Sequence, residues 1–280
     1  LSYDKRLSIL YTRYIEESVC MEKSACIEMM FTEVPFEQRF DLAKKAGFDY
    51  VEFWSWKDKD INKIKNLCDK YGIKIASFSG DKEFSMVNNE ENEAYIDFVI
   101  KSITTAKFLK CKNIVIHSNA LGEGGVVVNH YNEISDYVKF ANMFDVLKTL
   151  APIAEMNRVT LVLEALNTQI DHVGNFLAYT KDSAALIEMI NSDFVKVLYD
   201  AYHMQINEGN IIATINKYIK SIGYIHIADV PGRNEPGVGE INYKNVMDNL
   251  RRLNYEGVIG FELSPLKNST DVARKLISQL

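Results

Sequence analysis

The chain is sparing with the residues that build several common kinds of site. It holds five histidines and four cysteines in 280 residues. Cys20, Cys26, Cys68 and Cys111 form no CxxC pair and no zinc-ribbon spacing. Reduced thiols in a cytoplasmic protein are the simplest reading of them. No GxGxxG follows the first expected strand, which removes the usual dinucleotide fingerprint. No apolar run approaches the ~18 residues of a membrane span. The first twenty residues also lack the long apolar core of a signal peptide. There is no basic stripe either: 32 Lys and Arg stand against 38 Asp and Glu, a net charge of −6. That balance argues against a nucleic-acid partner. Lys44 with Lys45, and Lys63 with Lys65, fall in helix-like segments and read as solvated faces. A Ser- or Gly-rich linker and low-complexity tracts are likewise missing, so nothing marks a second domain.

What is present is ordinary for a globular chain, with 47% hydrophobic and 25% charged residues. The length suits a single (β/α)8 barrel, typically ~250 residues. From about residue 25 the pattern alternates strand and helix. CIEMMF reads as the first strand, YVEFW as the second, IKIASFS as the third and NIVIH as the fourth. TLVLE, VKVLYD, GYIHIA and GVIGFE follow. The helix after the first strand has Pro35 near its start and Gly47 at its end. A long helix from about Tyr131 to Asn157 carries Pro152, where a bend is expected. Eight strand-helix units in order predict an α/β fold, a single TIM barrel over residues 21–280. An open doubly wound sheet is the alternative. Residues 1–20 do not fit the cadence and read as an N-terminal extension.

Four of the strands end on a chemistry-bearing residue: Glu164, Asp200, His226 and Glu262. In a parallel barrel those carboxyl ends meet on one face. A carboxylate closing a buried apolar strand is costly unless it is paired or metal-bound. The separations are 36, 26 and 36 positions, each suited to one strand-helix unit, so the four should be neighbours. Together they predict an oxygen-rich site for one divalent cation, Mg2+, Mn2+, Co2+ or Zn2+. His203 lies just past Asp200, placed to donate to a substrate oxygen. Arg233 falls in the turn-rich segment ADVPGRNEPGVGEINY, where it can clamp a carboxylate or polarised hydroxyls. His117 closes the fourth strand and can line the pocket, although no partner for it is visible in the sequence. His130 and His172 read as ordinary surface residues. Trp54 and Trp56 follow the second strand, to wall the pocket or to pack on a neighbouring subunit.

These residues resemble the xylose-isomerase-like barrel superfamily, and within it the hydroxypyruvate isomerase family, which includes 2-oxo-tetronate isomerases. The resemblance runs from about Met21 to about Pro265. It is carried by MMFTEVPFEQRFDLAKKAGFDYVEF at 29–53, LVLEALN at 161–167, the Asp200/His203 pair and HIADVPGRNEPGVGEINY at 226–243. It implies that Glu164, Asp200, His226 and Glu262 bind the metal, and that Glu164 and Glu262 double as the acid/base pair. It also implies that His203 and Arg233 hold substrate oxygens, in an enzyme of carbohydrate metabolism. One departure stands out. The family often carries Tyr-Lys after the last glutamate, whereas Leu263 and Ser264 follow Glu262 here and the next lysine is Lys267. A neutral ketose therefore fits as well as a 2-oxo acid, and ketose 3-epimerases share the ligand set. A repair nuclease on the same barrel would need more histidines and a basic groove. A non-catalytic sugar-binding barrel would have no use for both glutamates. The expected partner is a small molecule, with no nucleic acid and no membrane, and the aromatic loops are compatible with a homo-oligomer.

Overall fold

A computed structural model describes residues 21–280, so the expected extension at 1–20 lies outside the described residues. The described chain alternates strands and helices. The first half runs β1 (Glu22–Cys26), α1 (Phe36–Ala46), β2 (Tyr50–Phe53), α2 (Ile61–Tyr71), β3 (Lys74–Phe78), α3 (Asn92–Leu109), β4 (Asn113–Ile116) and α4 (Asp136–Asn157). The second half runs β5 (Thr160–Glu164), α5 (Thr180–Ile190), β6 (Val195–Asp200), α6 (Ala201–Asn207), α7 (Ile211–Tyr218), β7 (Ile222–Ile227), α8 (Tyr243–Arg252), β8 (Val258–Phe261) and α9 (Ser269–Gln279).

All eight strands are parallel, in the order β3-β2-β1-β8-β7-β6-β5-β4. The remaining seam, β3 to β4, is held by the Ser79–Val115 bridge. The Gly80 amide donates to the Val115 carbonyl at 2.7 Å, and the Asn113 side chain donates to the Ala76 carbonyl at 3.0 Å. The sheet thus curls into a TIM barrel.

Alternate strand residues face the barrel axis. Ala76, Val115, Val162, Leu198, Tyr224 and Val258 pack there as a small apolar plug, with Tyr50 against it. Two positions onward from plug residues lie Glu52, His117, Glu164, Asp200, His226 and Gly260. Glu262 stands two further on from Gly260. The period of two therefore sets a polar layer directly on an apolar floor. The larger core lies outside the barrel, between strands and helices, and includes Phe40, Phe48, Leu147, Leu161, Leu250 and Phe261.

The structure corrects three details of the sequence reading. β1 is EKSAC rather than CIEMMF. Ile27, Met30 and Phe31 are fully buried, but in the turn that follows the strand, so their apolar signal came from a packed loop. α4 begins at Asp136, after Ser135, and not near Tyr131, and it continues through Pro152 as one helix. The short α6 follows β6 without a loop, because the Asp200 carboxylate accepts from the amides of Tyr202 and His203 and caps it.

Gly260 lets the polar layer close. A Cβ there would stand 2.6 Å from His226 Cδ2 and 2.7 Å from Glu52 Oε1. Gly260→Ala is expected to destabilise the protein by about 1–3 kcal/mol through overpacking. Urea unfolding measures this, and an unchanged midpoint would show that the layer is looser than described.

Candidate active site

Glu164 and Asp200 are the last residues of β5 and β6, His226 lies within β7, and Glu262 directly follows β8. The register pairs Asp200 with His226 and His226 with Gly260, so neighbouring strands place the side chains side by side. Each of the four residues offers one ligand atom, and these atoms all lie within 4.8 Å of one another. All four residues are buried. Glu164 Oε1 and His226 Nδ1 have no hydrogen-bond partner although both are buried. They are 3.6 Å apart, and His226 Nδ1 is 3.2 Å from Glu262 Oε2. These are charge contacts without hydrogen-bond alignment. Orphaned oxygen and nitrogen donors of this kind suit a divalent cation, and the group could hold one.

The electrostatics depend on a few cations set among acids. Burial works against the charge on Glu164, but the bond to His117 and the nearby charge of His226 hold its carboxyl well below the usual range. Burial likewise opposes the Glu262 charge, and Arg233 and His226 overcome it. Asp200 is the exception. Burial pushes its carboxyl up to about 7, with Arg233 offsetting only part of that and Glu164 adding to it. Burial lowers the basicity of His226, yet Glu52 and Glu262 more than reverse this and raise it well above the ordinary imidazole value. A cation bound at this site would have to displace that proton.

Facing the cavity, Arg233 Nη2 lies 2.7 Å from Glu262 Oε2 and 3.4 Å from Asp200 Oδ2. Its loop is fixed by Asp229, whose buried carboxylate accepts from the amides of Val230, Gly237, Gly239 and Ile241 at 2.9–3.0 Å. His203 is fully buried. Its Nδ1 accepts from the Asn167 amide at 2.8 Å, and the Asn167 oxygen is itself occupied by the amides of Ile170 and Asp171. His203 Nε2 lies 3.3 Å from Arg233 Nη2 and 3.6 Å from Asp200 Oδ2. Burial, then Arg233, keep the ring neutral. Trp54 donates its indole N–H to Glu262 Oε1 at 3.0 Å and walls the cavity. Trp56 turns away instead, onto Ser102 and Phe98.

Three participants were not identified from sequence. Glu52 is buried beneath the cluster, 3.2 Å from His226 Nε2, and accepts from Tyr224 and from Ser77. Asp81 is the missing partner of His117. It lies 3.1 Å from Nδ1, while Nε2 lies 3.1 Å from Glu164 Oε2. Burial acts against protonation of His117, but the two carboxylates raise it to about 10. The expectation of a surface His172 fails. That ring is buried, its Nδ1 lies 2.7 Å from the Gly125 carbonyl, and it stands edge-on to His203 with centroids 5.2 Å apart. Its short polar segment, TQIDHVGN, gave no apolar period to betray the burial. His130 is exposed. The i+2 step from the inward Tyr50 to Glu52 is the signal that could have found Glu52.

All of this opens into one cavity of about 590 Å3 at the carboxyl ends of the strands. Among the described residues no helix is long and apolar enough to cross a membrane.

Comparison with known proteins agrees with this architecture. Residues 40–280 match the family model described as xylose isomerase-like TIM barrel. A 2-oxo-tetronate isomerase of Haemophilus influenzae is 31% identical, over 86% of this chain and 93% of its own length. A hydroxypyruvate isomerase of Escherichia coli is 28% identical, with the same coverages of 86% and 93%. A solved structure from Brucella melitensis described as a family 2 AP endonuclease superimposes with a TM-score of 0.83 at 25% identity, over 92% of this chain and 99% of that one. Ketose 3-epimerase structures share the fold at lower identity. The chain belongs to the xylose isomerase-like TIM barrel family, and the curated relatives it matches here are named as isomerases.

Proposed function

We propose that this chain is a metal-dependent isomerase acting on a small hydroxy-carbonyl acid. The reaction interconverts hydroxypyruvate and tartronate semialdehyde, or a related 2-oxo sugar acid, through a cis-enediolate of the substrate. One observation carries the reading: two glutamates, Glu164 and Glu262, present carboxylate oxygens to the same centre from strands on either side of His226. The names of the relatives support it.

A divalent cation held by Glu164, Asp200, His226 and Glu262, whether Mn2+, Mg2+, Co2+ or Zn2+, would supply Lewis-acid polarisation of the substrate oxygens. The rest falls to the chain. One of the two glutamates removes the proton on the hydroxyl-bearing carbon, and the other serves as the acid on the opposite side. Such acid–base help contributes roughly 10²–10⁴-fold. His203 and the guanidinium of Arg233 steady the negative oxygen that develops. His117, clamped by Asp81, fixes the Glu164 carboxylate that it touches.

A second reading is a ketose 3-epimerase on the same residues. It is favoured by the cavity, which at about 590 Å3 is roomier than a three-carbon acid requires. A nuclease fits less well, given the net charge of −6 and a single imidazole in the ligand cluster.

Hydroxypyruvate, 2-oxo-tetronate and several ketoses, assayed with metal-stripped and metal-restored protein, separate the two readings. Turnover of the acids is expected to vanish with the metal and return with it. Mn2+ is also expected to raise the melting temperature of the stripped protein and to do so much less for Asp200→Asn. Glu164→Gln and Glu262→Gln should each lower kcat by about 10²-fold or more while circular dichroism stays native. Near-normal rates in either glutamine variant would remove the two-carboxylate mechanism.

A further inference from the structure

We infer that Lys82 is the residue that receives the carboxylate of an acid substrate, and so selects acids over neutral sugars. The inference rests on the isomerase reading of the site.

The cavity wall is strongly acidic: Glu28, Glu52, Asp81, Glu164, Asp171 and Glu262 all line it. An anionic substrate entering such a wall needs a positive charge that is not already neutralised. Among the described residues, three lysine and arginine side chains reach the cavity, Lys59, Lys82 and Arg233. Arg233 is held by Glu262 at 2.7 Å and by Asp200 at 3.4 Å. Lys59 is held by Glu28 at 2.8 Å, by Asp58 at 3.4 Å and by the Ser55 carbonyl at 3.1 Å. Lys82 is half-buried and makes no ion pair or hydrogen bond among the described residues. Both acids beside it in sequence are engaged elsewhere. Asp81 accepts from the His117 amide at 2.6 Å and from Tyr95 at 3.1 Å, and Glu83 pairs with Lys57 at 2.5 Å.

Position agrees with charge. Lys82 lies just past β3, at the β3–β4 seam, on the side of the ring opposite Arg233 and the ends of β7 and β8. A substrate whose carbonyl and hydroxyl oxygens meet the ligand cluster and Arg233 would extend its carboxylate toward that seam. Lys267 stands farther out. It is exposed and lines a neighbouring depression that shares Glu28, Met29 and Trp54 with the cavity, whereas Lys82 lines the cavity itself.

The test compares wild type with Lys82→Met and Lys82→Arg, all loaded with Mn2+. Steady-state kinetics use hydroxypyruvate and dihydroxyacetone, its analogue without the carboxylate, and calorimetry follows binding of tartronate. Lys82→Met is expected to raise the KM for hydroxypyruvate and the Kd for tartronate about tenfold or more, the loss of a charged hydrogen bond. Expected alongside are a kcat within about threefold of wild type, unchanged Mn2+ affinity, and most of the loss recovered in Lys82→Arg. Dihydroxyacetone kinetics should not respond. If the KM for hydroxypyruvate and the Kd for tartronate are the same in Lys82→Met, the assignment is overturned and the isomerase reading stands. If wild type turns over ketoses but no 2-oxo acid, the acid-isomerase reading falls and the role of Lys82 falls with it.

Discussion

Crowding carboxylates in a buried space is the constraint on which the barrel mouth depends. Glu52, Asp81, Glu164, Asp200 and Glu262 are all buried within a few side-chain contacts of one another. An unpaired buried charge costs several kcal/mol, so each acid must find a counter-charge or stay protonated. His117, His226 and Arg233 meet most of this need. Each touches at least two of the acids, which makes the cluster a single electrostatic unit. Removing one member would change the balance for the others. Asp200 is left least compensated, and a cation in its reach would relieve it.

The plug beneath the cluster performs two tasks. It closes the barrel against water from below, and it sets the height at which the polar layer begins. Tyr224 belongs to both levels. Its ring packs in the plug and its hydroxyl donates to Glu52, which in turn lies against His226. The position of the His226 imidazole is thus tied to the packing of the floor, an arrangement also common where a second carboxylate orients a ligating histidine.

Much of this was legible in the sequence. The strand-helix cadence gave the barrel, because every strand from β2 onward has an inward apolar residue. The four strand-end residues were recognisable because a carboxylate or imidazole closing an apolar run breaks its own pattern. Glu52 was hidden because aromatic neighbours in YVEFW masked the same break. β1 was misplaced because its buried residues, Ser24, Ala25 and Cys26, are small where a typical strand has large ones, while the true apolar run packs in a turn. Asp81 and His172 come from loops whose burial depends on partners far away in sequence, Asp81 on His117 and His172 on Gly125. No local period records such contacts.

The two tryptophans occupy very different surroundings. Trp56 is fixed by its bond to Ser102 and its contact with Phe98, away from the cluster. Trp54 is 49% exposed, and its indole nitrogen is bonded to Glu262. With only two such chromophores in the chain, intrinsic fluorescence divides into a steady background and a component sensitive to whatever happens at Glu262. The molecule carries its own optical probe of that carboxylate, one that needs no label and no turnover to be read.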